Sequence, residues 1–312
     1  MYLKSPINEM PQWQSPARFL AGWLCGLPAA AAPEKQARLA SVVNEVHLVI
    51  KDEGEWILKY IARPQGEEKS QIHVSRKTIE IIWASCCAYF IFHRRVFEET
   101  PLGVRPVVDL DTDPEADAAI KLLIWAHEEF KNKTDRAWPV EHPRPCNEPA
   151  ADSLEYQITQ FYGIVMSFML HHEIAHHRLG HNRSTIECEN EADGEAADWL
   201  LGGLSELDLT FMFRSWGVAA GLGILVGRGI HDGRFTSTSH PRAFDRLWNN
   251  LHNYVRELHH PAWQMAIVVI HLHIALAGQE VPNAGTFSDT FSAVDSYVNY
   301  LAELADREPL AV

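Results

Sequence analysis

From residue 78 to residue 306 the apolar side chains recur three or four positions apart in one run after another, whereas between Val43 and Ser75 they do not. An amphipathic helix needs a period of about 3.6 residues and a half-buried strand a period of about 2, so this switch limits the fold to a small sheet followed by a helical body. VNEVHLVIKDE, EWILKYIAR and SQIHVS are short runs rich in Val, Ile, Tyr and Trp, parted by Asp-Glu-Gly and by Pro64 to Gly66. They predict a small antiparallel β-meander over 43–76. Helical period then predicts helices over Thr78–Glu98, Ala116–Asn132, Ser153–Leu179, Glu189–Gly202, Glu206–Gly229, Pro241–Leu258, Ala262–Ala277 and Ser288–Asp306, with a Pro-rich loop from Thr134 to Pro149. The expected class is α+β, mostly helical. A three-strand sheet is too small to stand alone, so one domain is expected over 1–312: an N-terminal helical segment (1–40), the sheet (43–76) and a helical part (78–312).

Charge and cysteine usage narrow the function. With 27 basic against 41 acidic side chains the formal charge is -14, which repels phosphate backbones and excludes nucleic acid as an expected partner. Cys25, Cys86, Cys87, Cys146 and Cys188 are odd in number and show no CxxC spacing, so neither a disulfide framework nor a thiolate zinc knuckle is expected. A reducing cytoplasm fits best. The run Phe19 to Ala32 follows Arg18 like a secretory h-region, but Glu9 precedes it and Gly22, Gly26 and Pro28 break it, so a packed helix is expected there. No stretch is read as the ~20 apolar residues of a membrane span. The nearest, Trp263 to Ala277, is interrupted by His271 and His273.

Among 17 histidines, the segment SFMLHHEIAHHRLGHN places His172-Glu173-Ile174-Ala175-His176 in the HExxH pattern. Residues four apart share a helix face, so His172 and His176 can offer nitrogens to one ion, with zinc (Zn2+) the natural guest of imidazole plus carboxylate. Glu173, one position round the helix, is placed to act as general base. HExxH alone is a weak signal, and histidines satisfied by ordinary hydrogen bonds are the bland alternative. Against it, Val165, Phe168, Met169, His172, His176 and Leu179 form one i, i+3, i+4 stripe, which turns both imidazoles inward.

A metzincin would need Gly and His where Leu179 and Asn182 stand, so the third ligand is sought on the next helix and Gly180 is assigned to the helix C-cap. Glu189-Asn190-Glu191-Ala192-Asp193 supplies Glu189 for the metal and Asp193 to accept the N–H of a liganding His. Glu187, Glu191 and Glu195 compete, and Glu191 with Glu195 has the same i, i+4 spacing. Small residues after Glu189 favour it, because they let this helix pack closely on the zinc helix. In Ser239-His240-Pro241-Arg242-Ala243-Phe244-Asp245-Arg246, helix capping is the bland reading. With the upstream motifs present, His240 becomes the candidate oxyanion donor, and Arg246 a partner for a carboxylate. His171, His177 and His181 are expected to point away from the stripe.

HHEIAHHRLGH, ENEADGEAADWLLG and SHPRAFDRLWNN, in that order, resemble the Lit-like phage-exclusion peptidases, and more distantly the CAAX prenyl protease and HtpX gluzincins. APEKQ, KTIEIIWASCCAYFIF, LLIWAHEEF and AWPVEHPRP extend the resemblance from about residue 30 onward. The resemblance implies His172, His176 and Glu189 as zinc ligands and Glu173 as catalytic acid/base. It further implies a cytoplasmic zinc metalloendopeptidase of phage defence, triggered by a phage-derived peptide, that cleaves a host translation factor such as elongation factor Tu. The alternative is a catalytically silent zinc-binding sensor that keeps the fold, against which Glu173 argues because a metal site alone needs no base.

Overall fold

The computed structural model describes residues 15–39, 42–100, 107–131, 136–139, 141–233, 235, 239–282 and 287–307. Residues 1–14 of the expected N-terminal segment, Asn132, and parts of the expected loop at 134–149 lie outside them. The chain runs α1 (Arg18–Trp23), α2 (Leu27–Ala31), β1 (Val46–Lys51), β2 (Leu58–Ile61), β3 (Ser70–Ser75) and α3 (Arg76–His93). Then follow α4 (Pro114–Lys131), α5 (Leu154–Arg178), α6 (Ile186–Leu201), α7 (Leu209–Asp232), α8 (Ala243–Tyr254), α9 (Pro261–Leu276) and α10 (Thr290–Arg307). This is the expected mostly helical α+β class, with boundaries shifted by a few residues at caps. Thr185, for example, accepts a hydrogen bond from the Cys188 N–H and starts α6 three residues before Glu189.

The sheet corrects the expected meander. Its order is β1-β3-β2, with β3 parallel to β1 and antiparallel to β2. Strand composition announces strands but not their pairing: β1 is the more apolar run, yet β3 takes the centre and is the most buried, with Ile72 and Val74 fully enclosed. β2 is thereby left as an edge lying against α5. Ser75 closes β3 and caps α3 at once, accepting from the Thr78 N–H at 3.1 Å. Along α3, the fully buried Lys77 ammonium donates to Glu129 on α4 at 2.5 Å, fastening the two helices.

The Phe19 to Ala32 segment is packed, as expected, but as two short helices, because Gly26 and Pro28 restart the chain at α2. Ser167 and His171 of α5 hold it by donating to the carbonyls of Leu27 at 3.0 Å and Pro28 at 3.1 Å.

At the centre lies α7, which corrects the reading of apolar runs. Its most apolar 18-residue window has a mean hydropathy of 1.5, enough by length and composition to cross a membrane, and 72% of that window is buried inside the protein. The glycines of GVAAGLGILVG dilute the apolar signal to the eye. A Cβ on Gly217 or Gly221 would lie 2.3 Å from Ile164 or 2.9 Å from Phe168 of α5. One on Gly223 or Gly227 would lie 2.2 Å from Val269 or 2.3 Å from the His273 ring of α9. Two glycine pairs, each four residues apart, thus bring α7 against a neighbour on each of two faces.

Candidate active site

The apolar stripe of α5 carries Val165, Phe168, Met169, His172 and His176 into the interior and ends there: Leu179, expected as its last member, is 46% exposed. The chain reverses at Gly180, whose φ of +70° suits glycine, and the His181 N–H closes the turn on the His176 carbonyl at 2.9 Å. Asn182 to Thr185 complete the reversal into α6, which lies along α5 and turns Glu189 and Asp193 toward it. The 12-residue spacing from His176 to Glu189 is therefore accommodated.

His172 Nε2 lies 3.1 Å from His176 Nε2, 3.4 Å from Glu189 Oε2, and His176 Nε2 lies 3.6 Å from Glu189 Oε1. Ligand bonds of about 2.0–2.1 Å at the tetrahedral angle put donor atoms about 3.3 Å apart, so these three atoms can hold an ion of zinc's size. All three residues are buried. Of the acids in the run, Glu189 is the one turned to both imidazoles. Glu187 is exposed, Glu195 pairs with Arg178, and Glu191 Oε2 instead accepts from His181 Nε2 at 3.0 Å.

The outer nitrogens show how each ring is oriented. His172 Nδ1 donates to Asp193 Oδ1 at 2.8 Å, leaving Nε2 to face the cluster. Asp193 in turn accepts from Arg246 Nε at 2.6 Å and Nη2 at 2.8 Å, a bidentate pair that ties α8 to α6 beneath the histidines. The His176 Nδ1–H meets His181 Nδ1 at 2.9 Å, and His181 donates onward to Glu191. His181, expected to be a bystander, therefore orients a ring of the cluster. The signal was present in its position one residue past the C-cap glycine, where the closing turn folds a side chain back over the helix end. His171 and His177 stay outside the cluster, His171 stacked on Trp199 and His177 bonded to Glu45 and Tyr60.

Glu173 accepts a 2.6 Å hydrogen bond from the Tyr60 N–H of β2. Tyr60 was not singled out in the sequence, because a backbone donor leaves no mark on residue type. Burial pushes the Glu173 carboxyl up, an effect only partly countered by His172. Burial also works against charge on His172, but the bonds to Asp193 and Glu189 prevail and raise it to about 9. Burial and the neighbouring His172 pull His176 down to about 4. Glu189, despite burial, is held down at about 2 by His172, and Asp193, also despite burial, is held well below the carboxylate range by Arg246. The half-exposed His240 takes a bond to Ser239 at Nδ1, and its Nε2 lies 3.6 Å from Glu189 Oε1.

These groups line a cavity of about 330 Å³ between β2, α5 and the start of α6, with Leu58, Tyr60, Ser184 and His240 on its walls. Because the Tyr60 N–H points to Glu173 and away from β3, the unpaired edge of β2 faces the same space. The arrangement can hold an ion, keep a carboxyl beside it, and admit an extended chain.

Comparison with known proteins places the chain among peptidases. The chain is 24% identical over 246 residues to the cell death peptidase of Escherichia coli strain K12, covering 77% of this chain and 82% of that one. No solved structure matches it. Residues 72–266 match the Peptidase U49 family and include the helix of His172 and His176, the acids Glu189 and Asp193, and His240 with Arg246; the chain belongs to that family.

Proposed function

We propose that this peptidase is a zinc-dependent endopeptidase with His172, His176 and Glu189 as metal ligands and Glu173 as its acid/base. One observation carries the reading: a buried carboxylate, fixed by a backbone N–H, stands beside a donor triangle of the size zinc requires. When bound, the ion supplies Lewis-acid polarisation of the scissile carbonyl. Glu173 takes a proton from the attacking water and passes it to the leaving amine, and its raised basicity suits both steps. The His240 Nε2–H, at the mouth of the cavity, donates to the developing oxyanion. Asp193, clamped by Arg246, fixes the His172 ring, and His181 with Glu191 fixes His176. The free edge of β2 receives the substrate as an added strand, which favours extended, locally unfolded segments of a protein.

The finer reading follows the Lit-like resemblance and the relative that is named for cell death. The chain acts in the cytoplasm, is triggered by a phage-derived peptide, and cleaves a host translation factor of the elongation factor Tu kind. The test is mass spectrometry of bacterial lysates after induced expression, comparing the native protein with Glu173→Gln. New protein termini that appear only with the native chain support the peptidase and identify its substrate. Growth arrest by Glu173→Gln equal to that of the native chain would replace it with the zinc-binding sensor.

A further inference from the structure

We propose that His127, His231 and His273 form a second metal site, which takes a divalent transition-metal ion of the zinc class on imidazole nitrogens alone. The three come from α4, α7 and α9, and one ligand atom from each lies within 4.8 Å of the others. The His127 and His273 rings meet edge to face, with centroids 4.6 Å apart and planes at 88°. That is nearly the arrangement of His172 and His176, at 4.8 Å and 84°. His231 approaches His127 to 3.9 Å and His273 to 5.9 Å between centroids, closing the triangle.

Two further features shape the place for a ligand. Tyr89 of α3 hydrogen-bonds His273 Nε2 at 2.5 Å, which orients that ring, while His273 Nδ1 is buried with no hydrogen-bond partner. Buried polar atoms are nearly always satisfied, so an unpartnered nitrogen on a ring fixed through its other nitrogen points to a missing ligand. Secondly, a Cβ on Gly227 would lie 2.3 to 2.6 Å from three atoms of the His273 ring. Only a glycine leaves that ring its position. Neutral imidazoles without thiolate favour zinc, copper, nickel or cobalt over magnesium or calcium.

His172→Ala/His176→Ala removes two of the three donors of the first cluster and isolates the second. This variant should bind close to one equivalent of Zn2+ or Co2+ by equilibrium dialysis and elemental analysis, where the native protein binds two. Adding His231→Asn, at the least buried of the three rings, should remove the remaining equivalent and abolish the rise in melting temperature that added metal gives. Zinc X-ray absorption of the double variant should show three imidazole nitrogens at about 2.0–2.1 Å. This measurement needs no further substitution, should His231→Asn fail to fold. No metal in the double variant, full metal retention after His231→Asn, or fewer than three imidazoles would each overturn the proposal. A native protein that binds one equivalent while the double variant binds none would leave the peptidase reading intact and remove only the second site.

Discussion

The two buried histidine clusters share the same ring chemistry and differ in what surrounds it. Around His172 and His176 stand Glu189, Asp193, Glu173 and Arg246, so charge is abundant and a cavity opens on one side. Around His273 stand two more imidazoles, the Tyr89 hydroxyl and the bare Cα of Gly227. An ion held by the first set would meet Glu173, a cavity and His240, which serve as base, groove and oxyanion donor in the proposed peptidase. At the second it would meet rings and a phenol, with no carboxylate in that cluster among the described residues. On the proposed reading, what would make a metal cluster catalytic here is the neighbouring carboxyl and the access, not the histidines.

The sharpest way to break that comparison is Glu173→Gln, which keeps shape and removes the basic oxygen. Peptide hydrolysis should fall by about 10²–10⁴-fold while zinc content stays as in the native chain, measured on the same sample. Retained hydrolysis would make the first cluster no more catalytic than the second. Next in size, His240→Ala should lower turnover by roughly 100-fold, with zinc again retained. A loss of zinc instead would move His240 from oxyanion donor to ligand. Asp193→Ala should weaken zinc affinity or activity by about 10–100-fold, since it frees the His172 ring and leaves Arg246 buried without its partner.

Proton binding sharpens the contrast further, because His172 shifts up whereas His273, like His176, shifts down. In metal-free protein the raised His172 value, about 9, gives stability that is complete below about pH 6.5 and lost as pH rises through 9. His273 is depressed, so its contribution is present above about pH 6.5 and lost as pH falls below it. Chelated protein should therefore melt highest near pH 6.5, and His172→Gln should remove the alkaline decline. An unchanged alkaline slope in that variant would assign it elsewhere. The smallest effect belongs to Gly227→Ala, which overpacks His273 at a cost of about 1–3 kcal/mol. It should lower the melting temperature by a few degrees and cost metal at the second cluster while leaving hydrolysis intact.

What the sequence disclosed and what it hid follow from distance along the chain. His172 and His176 are four apart, so one helix turn reveals them, and Glu189 with Asp193 repeats that spacing on the next helix. His127, His231 and His273 lie on three different helices, and no local period marks residues that only tertiary packing joins. Helical period located α3 to α10 within a few residues, because burial on one face imposes it. Strand runs carry no comparable statement about neighbours, so the parallel pairing of β1 with β3 was illegible, and with it the Tyr60 amide on Glu173. His181 was passed over because its role arises from the turn at Gly180, not from its helical phase.

The glycine faces of α7 also bear on how the chain is made. During synthesis α5 leaves the ribosome first and offers Ile164 and Phe168 to Gly217 and Gly221 as soon as α7 follows. The opposite face, with Gly223 and Gly227, has nothing to meet until Pro261–Leu276 has emerged. At about 5–20 residues per second that interval lasts a few seconds. For that time a 24-residue helix whose most apolar 18-residue window has a mean hydropathy of 1.5 stands half covered, open to chaperones and to lipid alike.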